Sequence, residues 1–477
     1  MKEYKIAKLL AKNELDIQKA KAALLICDLV YPAYTRAQPG FGVGMAYFEK
    51  GSKIMHQIML KDYMAKLSDR QLRRFLIDRQ LLKRMMLKQN QIAKRIEKIC
   101  GDFRRFSDKE LLIVYFQFLK LARQWWTTVM VLEDKGEVID RRIVPEIANS
   151  HGINLQQARY LVATATHPYE MSIFNRQRLD MLKLVLADES SLDKKLAKYV
   201  AKYFWIKSDF YKAGRVDAKT VRSDMAEVAI KSKIDIKKEI NNIKNNLNHI
   251  CKERKKALKS FGKEENQYIQ FGTQLNLFLD IRKAEMMKQF YHFSNLITEI
   301  CRRKKIRYED LAKYLTEEVE SLLRTGKRLP VGDVKKRSKG IFMIYDGKNK
   351  TMYCGTGARK LFSMTEKAVQ GQVKGLVAST GTKNKVRGIC RVVLNPESAK
   401  FSKGEILITS MTRVEFMPLM RLARAVITDE GGISSHAAII SRELGIPCII
   451  GSKNATRQLR NGDKVTLNMK TGEVTII

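Results

Sequence analysis

The stretch DEGGISSHAAIISRELGIPCIIG, residues 429–451, sets one histidine behind two glycines and two serines. The run before it, ARAVIT, is short and apolar and reads as a buried strand. Gly431 and Gly432 break that run, and Ser434 and Ser435 are residue types favoured at a helix N-cap. HAAIISREL then has helical spacing, Gly445 and Pro447 stop it, and PCIIG resumes as a strand. His436 therefore falls in the first turn of a helix, where free backbone N–H groups and the positive end of the dipole favour an anion. That potential also keeps the imidazole neutral, hence nucleophilic. A phosphoryl group on the ring would meet glycine-loop amides and serine hydroxyls as donors. Without those neighbours a lone histidine at a helix start only caps or packs. The other five have no such setting: His56, His249 and His292 fall in helical patterns, and His151 and His167 near breaks.

Positioning this histidine requires a compact α/β domain of about a hundred residues. The end of the chain has that texture. From VKGLVASTGTKNKVRGICRVVL onward, strand-like runs (GEILITS, RAVITD, IPCII, DKVTLNM, GEVTII) alternate with short helices. Residues 1 to 330 read instead as helical nearly throughout, with capping-box spacing at Ser68/Gln71 and Ser107/Glu110. YPAYTRAQPGFGVG (31–44) reads as a loop, and THPYEMS (166–172) as a break between two helical halves. Irregular, Asn-rich heptads over 225–260 suggest a coiled-coil arm. After Pro330, IFMIYDGKNKTMYC reads as a hairpin around Asp346-Gly347, and GARKLFSMTEKAVQ as a short helix. The fold expected is a mainly α-helical N-terminal region plus a C-terminal α/β domain. Its blocks are 1–170 (first helical half), 171–330 (second helical half, for an acceptor or partner), 331–372 (hairpin and linker) and 373–477 (the histidine domain).

Composition narrows the classes. Lys and Arg total 90 against 50 Asp and Glu, a formal charge of +40, which suits nucleic acid or another polyanion. The charge is spread evenly, +8 over residues 372–477 and +32 over the rest, as expected of solvated helix faces. The seven cysteines are scattered and never form C-x-x-C, the pattern of reduced thiols in a cytoplasmic protein. The N-terminus MKEYKIAKLLAKNELD is charged throughout and has no apolar signal-peptide core. LLIVYFQFLKLARQWWTTVMVL is broken by Gln117, Lys120, Arg123 and Gln124 and reads as a core helix, not a membrane span.

GEILITSMTRVEFMPLMRLARAVITDEGGISSHAAIISRELGIPCIIG, with the closing NATRQLRNGDKVTLNMKTGEVTII, resembles the swivelling phosphohistidine domain of the phosphoenolpyruvate-utilising enzymes. That family includes phosphoenolpyruvate synthase, pyruvate phosphate dikinase and rifampicin phosphotransferase. The resemblance covers about 105 residues and implies that His436 carries a phosphoryl group between remote sites. It implies phosphate-binding roles for Gly431, Gly432, Ser434 and Ser435, and for Arg442 either a phosphate contact or a structural role. Ser434 stands where threonine is usual, and Arg413-Val414 where many members have Asp-Pro. The helical region resembles, in texture alone, the helices preceding this domain in rifampicin phosphotransferase. Trp125, Trp126, Trp205, Tyr291 and His292 could line an acceptor pocket there, although aromatics at helical spacing usually form core.

The family loads its histidine from an ATP-grasp or a phosphoenolpyruvate barrel domain, and neither is visible here. There is no P-loop string, and CGTGARK reads as a plain turn. The reading is therefore a phosphotransferase component whose donor sits on a partner chain, an ATP-grasp or phosphoenolpyruvate-linked protein, with an unidentified acceptor. ATP with Mg²⁺, or phosphoenolpyruvate, would act through that partner, and no metal site is expected in this chain. The alternative is a non-catalytic helical protein that binds nucleic acid or a partner, with a regulatory phosphohistidine-like domain. CKERKKALKSFGK (251–263) and ICRRKKIRYEDLAKY (300–314) come nearest to a basic reading surface.

Overall fold

The computed structural model describes residues 5–6, 9–10, 15–36, 44–50, 54–130, 138–214, 216–230, 232–346, 349–366, 373–381, 384–394, 396, 399–412, 416–432 and 435–477. Seven helices position the features discussed below: α1 (Leu24–Arg36), α2 (Leu81–Ile99), α3 (Asp108–Val129), α4 (Ile173–Val185), α5 (Lys233–Leu258), α6 (Thr316–Thr325) and α7 (His436–Leu444). α3 begins where the capping-box spacing places it. Ser107 Oγ accepts from the Glu110 N–H at 3.2 Å, and the Glu110 carboxylate accepts from the Ser107 N–H at 2.6 Å. Ser68 starts no helix, because the helix Lys61–Ile77 is already running when it reaches that residue.

The chain packs into two compact units that interleave in sequence: residues 1–133, 208–214 and 282–368, and residues 134–207, 215–281 and 369–477. They differ from the sequential blocks expected. The first unit contains a five-stranded antiparallel sheet, β1 (Leu15–Lys21), β2 (Gly44–Phe48), β3 (Ile54–Leu60), β4 (Ile341–Asp346) and β5 (Asn349–Cys354), in the order β1-β3-β2-β4-β5. Three of its strands come from the first sixty residues, which corrects the helical reading there. The expected hairpin at 341–354 does form, but β2 pairs with β4 from Phe48↔Ile341 to Gly44↔Tyr345, so the hairpin belongs to the sheet.

Alternation in this sheet runs between two cores. Met45, Tyr47, Ile58, Phe342 and Ile344 face Ile6, Leu361 and Phe362, while Ala46, Phe48, Met55, Ile341 and Met343 face Leu24, Cys27 and Leu315. With both faces buried, no polar period of two marks the strands. His56 lies on β3, not on a helix, with Nε2 2.6 Å from Glu49 Oε1 and its ring against Tyr47 and Phe362. CGTGARK, expected as a plain turn, runs from the end of β5 through Gly355 into the helix Thr356–Glu366. Residues 37–43 of the expected loop, and Gly347 of the hairpin turn, lie outside the described residues.

The second unit holds a seven-stranded mixed sheet, β6 (Leu376–Ser379), β7 (Lys385–Val392), β8 (Ile406–Thr409), β9 (Ala425–Thr428), β10 (Cys448–Ile450), β11 (Lys464–Asn468) and β12 (Val474–Ile476). The order is β12-β11-β7-β8-β9-β10-β6, and β7 to β10 run parallel. Ile406, Ile408, Ala425, Ile427 and Ile449 form its core. α7 packs on β6, β9 and β10, and its other side meets α5. α4 and α5 share a helical core around Leu182, Leu196, Tyr203, Val221 and Ile236. α5 is thus a packed helix and not a free coiled-coil arm. THPYEMS is the connection between the helix Leu155–Ala165 and α4.

Candidate functional site

The site is built where β9 hands over to α7. Asp429, at the end of the strand, is buried. It accepts from the Thr456 N–H at 3.0 Å, from the Thr456 hydroxyl and from Ser452 Oγ at 3.3 Å, which ties the loop to the neighbouring segment. Burial pushes its carboxyl above the usual range, against the pull of those hydrogen bonds. Gly431 then takes φ +114°, and a Cβ there would lie 2.8 Å from Ser435 Oγ, so only glycine fits. Gly451 approaches from the next loop, where a Cβ would stand 3.1 Å from the Gly431 carbonyl oxygen. The Gly432 carbonyl accepts from the Ser435 N–H at 2.8 Å.

Ser435 is the N-cap of α7, its Oγ accepting from the Ala438 N–H at 3.3 Å. His436 is the first residue of that helix, as its sequence context requires. Its Nδ1 lies 2.9 Å from Thr412 Oγ1, and its ring meets Phe174 of α4 edge-on with centroids 6.0 Å apart. Gly431, Gly432, Ser435 and His436 are therefore brought together. Ser434, Arg413 and Val414 lie outside the described residues.

Arg442 is not brought to the histidine. Six residues along α7 it stands about 9 Å further down the axis, and its Nε donates to the Ala378 carbonyl of β6 at 2.9 Å. Burial lowers its guanidinium to about 10. Of the two roles left open for it, this placement is that of an anchor between helix and sheet. Trp125, Trp126 and Trp205 are buried, the first two edge to face at 5.2 Å; Tyr291 and His292 are half-buried. Burial lowers His292 to about 4.

Four features escaped the sequence. Thr412 sits in the quoted string, but nothing in it says that the chain returns to the histidine. Phe174, Asn175 and Glu443 meet across more than 260 residues, where periodicity carries no information. Glu443 accepts from Ser172 Oγ at 3.0 Å and from the Asn175 amide, and its backbone carbonyl accepts from Asn246 Nδ2 of α5 at 3.0 Å. Burial, helped by Asp280 and opposed by Arg421, raises the Glu443 carboxyl to about 7. Arg421 donates to Asn175 Oδ1 at 3.1 Å, and burial beside Arg178 lowers it to about 10. Among the described residues no His, Cys, Asp and Glu group is arranged to hold a metal ion, and no helix is long and apolar enough to cross a membrane.

Residues 401–472 match the family model of the PEP-utilising enzyme mobile domain. A probable phosphoenolpyruvate synthase of Staphylothermus marinus is 47% identical over 105 residues, which is 21% of this chain and 12% of that protein. The phosphoenolpyruvate synthase of Pyrococcus furiosus gives the same figures, 47% over 105 residues with 21% and 12% covered. An uncharacterized phosphotransferase of Bacillus subtilis is 33% identical over 180 residues, 35% of this chain and 21% of that one. The chain thus matches only a small part of the length of these relatives. The glycine loop, the serine cap and the histidine that opens α7 all lie within the stretch of this chain that matches the mobile domain of the PEP-utilising enzymes.

Proposed function

We propose that this chain carries a phosphoryl group on His436, from a donor site on a partner protein to an acceptor not yet identified. The observation that carries the reading is the ring's setting: the first turn of α7, a glycine loop beside it, and Thr412 Oγ1 2.9 Å from Nδ1. With Nδ1–H donated to Thr412, the lone pair lies on Nε2. Nε2 attacks the donor's terminal phosphorus in line, an N–P bond forms, and the donor's P–O bond breaks with its electron pair leaving on oxygen. In the second step an acceptor oxygen attacks phosphorus, the N–P bond breaks, and Nε2 recovers its pair while the acceptor's proton passes to water.

The backbone N–H groups of the loop and the start of α7 would stabilise the phosphoryl oxygens, and Ser434 with Ser435 would add hydroxyl donors. Arg442 belongs to this reading as the anchor that fixes α7 on the sheet. Mg²⁺ and ATP, or phosphoenolpyruvate, enter with the donor protein, an ATP-grasp or phosphoenolpyruvate-linked chain. Passage to a remote donor requires release of the Phe174, Ser172, Asn175 and Asn246 contacts that hold α7 on the helices.

The test is labelling of the purified chain with γ-labelled ATP and Mg²⁺, and with labelled phosphoenolpyruvate, each with and without an extract of its source cells. Acid-labile, alkali-stable label should appear only with the extract. Label taken from ATP by the purified chain alone would overturn the partner requirement.

A further inference from the structure

In the first unit α2, α3 and the start of α6 enclose an open cleft of about 1400 Å³, well apart in sequence from the histidine domain. Lys88 and Arg95 on α2 and Lys120 and Arg123 on α3 line it at helical spacing, with Lys94 beside them. Lys88, Lys94, Arg95 and Lys120 are exposed and make no ion pair among the described residues. Gln91 and Gln124 set neutral amide donors between these cations, while the Thr127 and Thr128 hydroxyls donate to the Arg123 and Gln124 carbonyls at 2.8 and 2.9 Å. The carboxylates on the α6 side are already spent, Glu317 on Lys350 and Glu320 on Arg324 at 3.0 Å.

Arg123 is held in place from behind. Its Nη2 donates to Thr316 Oγ1 at 3.0 Å, and that hydroxyl donates to Asp28 Oδ2 at 2.6 Å. Asp28 also accepts from the Thr316 N–H at 2.7 Å, from Tyr345 at 3.0 Å and from Lys350 at 3.1 Å. Burial would raise the Asp28 carboxyl, but Lys350 and Thr316 outweigh it and keep it ionised. The guanidinium is thus fixed before any ligand arrives, and its Nε is buried without a hydrogen-bond acceptor. A buried donor left unmet is costly.

We propose that this cleft binds a small molecule bearing a chain of phosphates, with the charge and size of a nucleoside triphosphate. Four free cations and one preorganised guanidinium call for an anion of several charges, and Arg with neutral amide donors suits phosphate oxygens. Ile92 and Leu119 are buried at the base of the cleft, and Phe116, with the Arg324 guanidinium over its ring at 4.6 Å, is the apolar neighbour left for an organic part. This site is independent of His436 and includes no transfer step.

Calorimetric titration of the full chain with ATP, inorganic tripolyphosphate, adenosine and a short single-stranded oligonucleotide tests it. ATP and tripolyphosphate should each saturate one site, with adenosine at least about a hundredfold weaker because it lacks the charge-assisted bonds. The exposed pair Arg95→Glu/Lys120→Glu should weaken ATP at least about tenfold, whereas the exposed pair Lys237→Glu/Lys238→Glu, with the same charge change, should shift it less than about twofold. His436→Ala should change nothing. Tighter binding of ATP than of tripolyphosphate assigns the organic part a role, and equal binding makes the phosphate chain the whole determinant. The proposal is overturned by failure of both polyphosphates to saturate, by equal losses in the two charge-reversed pairs, or by binding of the oligonucleotide alone.

Discussion

The glycine loop at His436 and the cleft between α2 and α3 are both suited to phosphate, and by opposite means. Around His436 the groups on offer are backbone amides and hydroxyls at a helix start, and in the function proposed the ring itself forms the bond. In the cleft the donors are long cationic side chains, and none of its residues is poised as a nucleophile. Backbone amides are fixed and neutral, so they stabilise a group that arrives and leaves. Lysines and arginines are mobile full charges, so they hold a dianion or tetra-anion in exchange with solvent. The lesson is that a strongly basic chain need not use its charge where its chemistry is.

The largest expected effect separates the two regions outright. His436→Ala abolishes phosphoryl transfer and leaves polyphosphate binding intact; Arg95→Glu/Lys120→Glu weakens polyphosphate binding at least about tenfold and leaves transfer intact. Transfer lost in both variants would erase the distinction drawn here.

The next concerns Glu443, whose carboxyl rises to about 7 in the fold from an ordinary 4.5. A group raised by folding adds stability that is complete below its unfolded value and is lost as pH climbs through the folded one. Unfolding free energy should therefore fall by up to ~3 kcal/mol between about pH 4.5 and pH 7 and then level off. Glu443→Gln should remove that component, as followed by denaturant titration across pH. A profile unchanged by the substitution would mean that Glu443 is charged in its docked place.

Salt sharpens the comparison further. Polyphosphate binding should weaken steeply as ionic strength rises, because the cleft's cations are exposed, whereas the rate of transfer through His436 should respond weakly. The smallest effect expected is that of Thr412→Val, which removes one neutral hydrogen bond worth about 1 kcal/mol and should slow transfer about fivefold. A variant as fast as the parent would leave the choice of ring nitrogen to something other than Thr412.

How much of this was legible in the sequence follows from where each signal resides. β8, β9 and β10 are short apolar runs with glycine or proline close by, so their buried character shows locally, whereas their parallel pairing does not. The start of α7 shows for the same reason, since cap, glycines and histidine are neighbours in the chain. β2 and β3 hid because both their faces are buried, and the second partner of β2, β4, lies nearly three hundred residues away. Phe174 and Glu443 hid because a helix pattern shows which face is apolar but not what covers it. Arg442 shows the limit of a motif: its position in the string was legible, but its partner, the Ala378 carbonyl, was not.

The central claim is that His436 is the residue phosphorylated. The full chain, labelled in its source-cell extract with γ-labelled ATP or labelled phosphoenolpyruvate and recovered at alkaline pH, can be mapped by mass spectrometry. The account requires phosphate on His436 alone, and none on the His436→Ala chain. Phosphate on another residue, equal labelling of the alanine variant, or no label from either donor would contradict it.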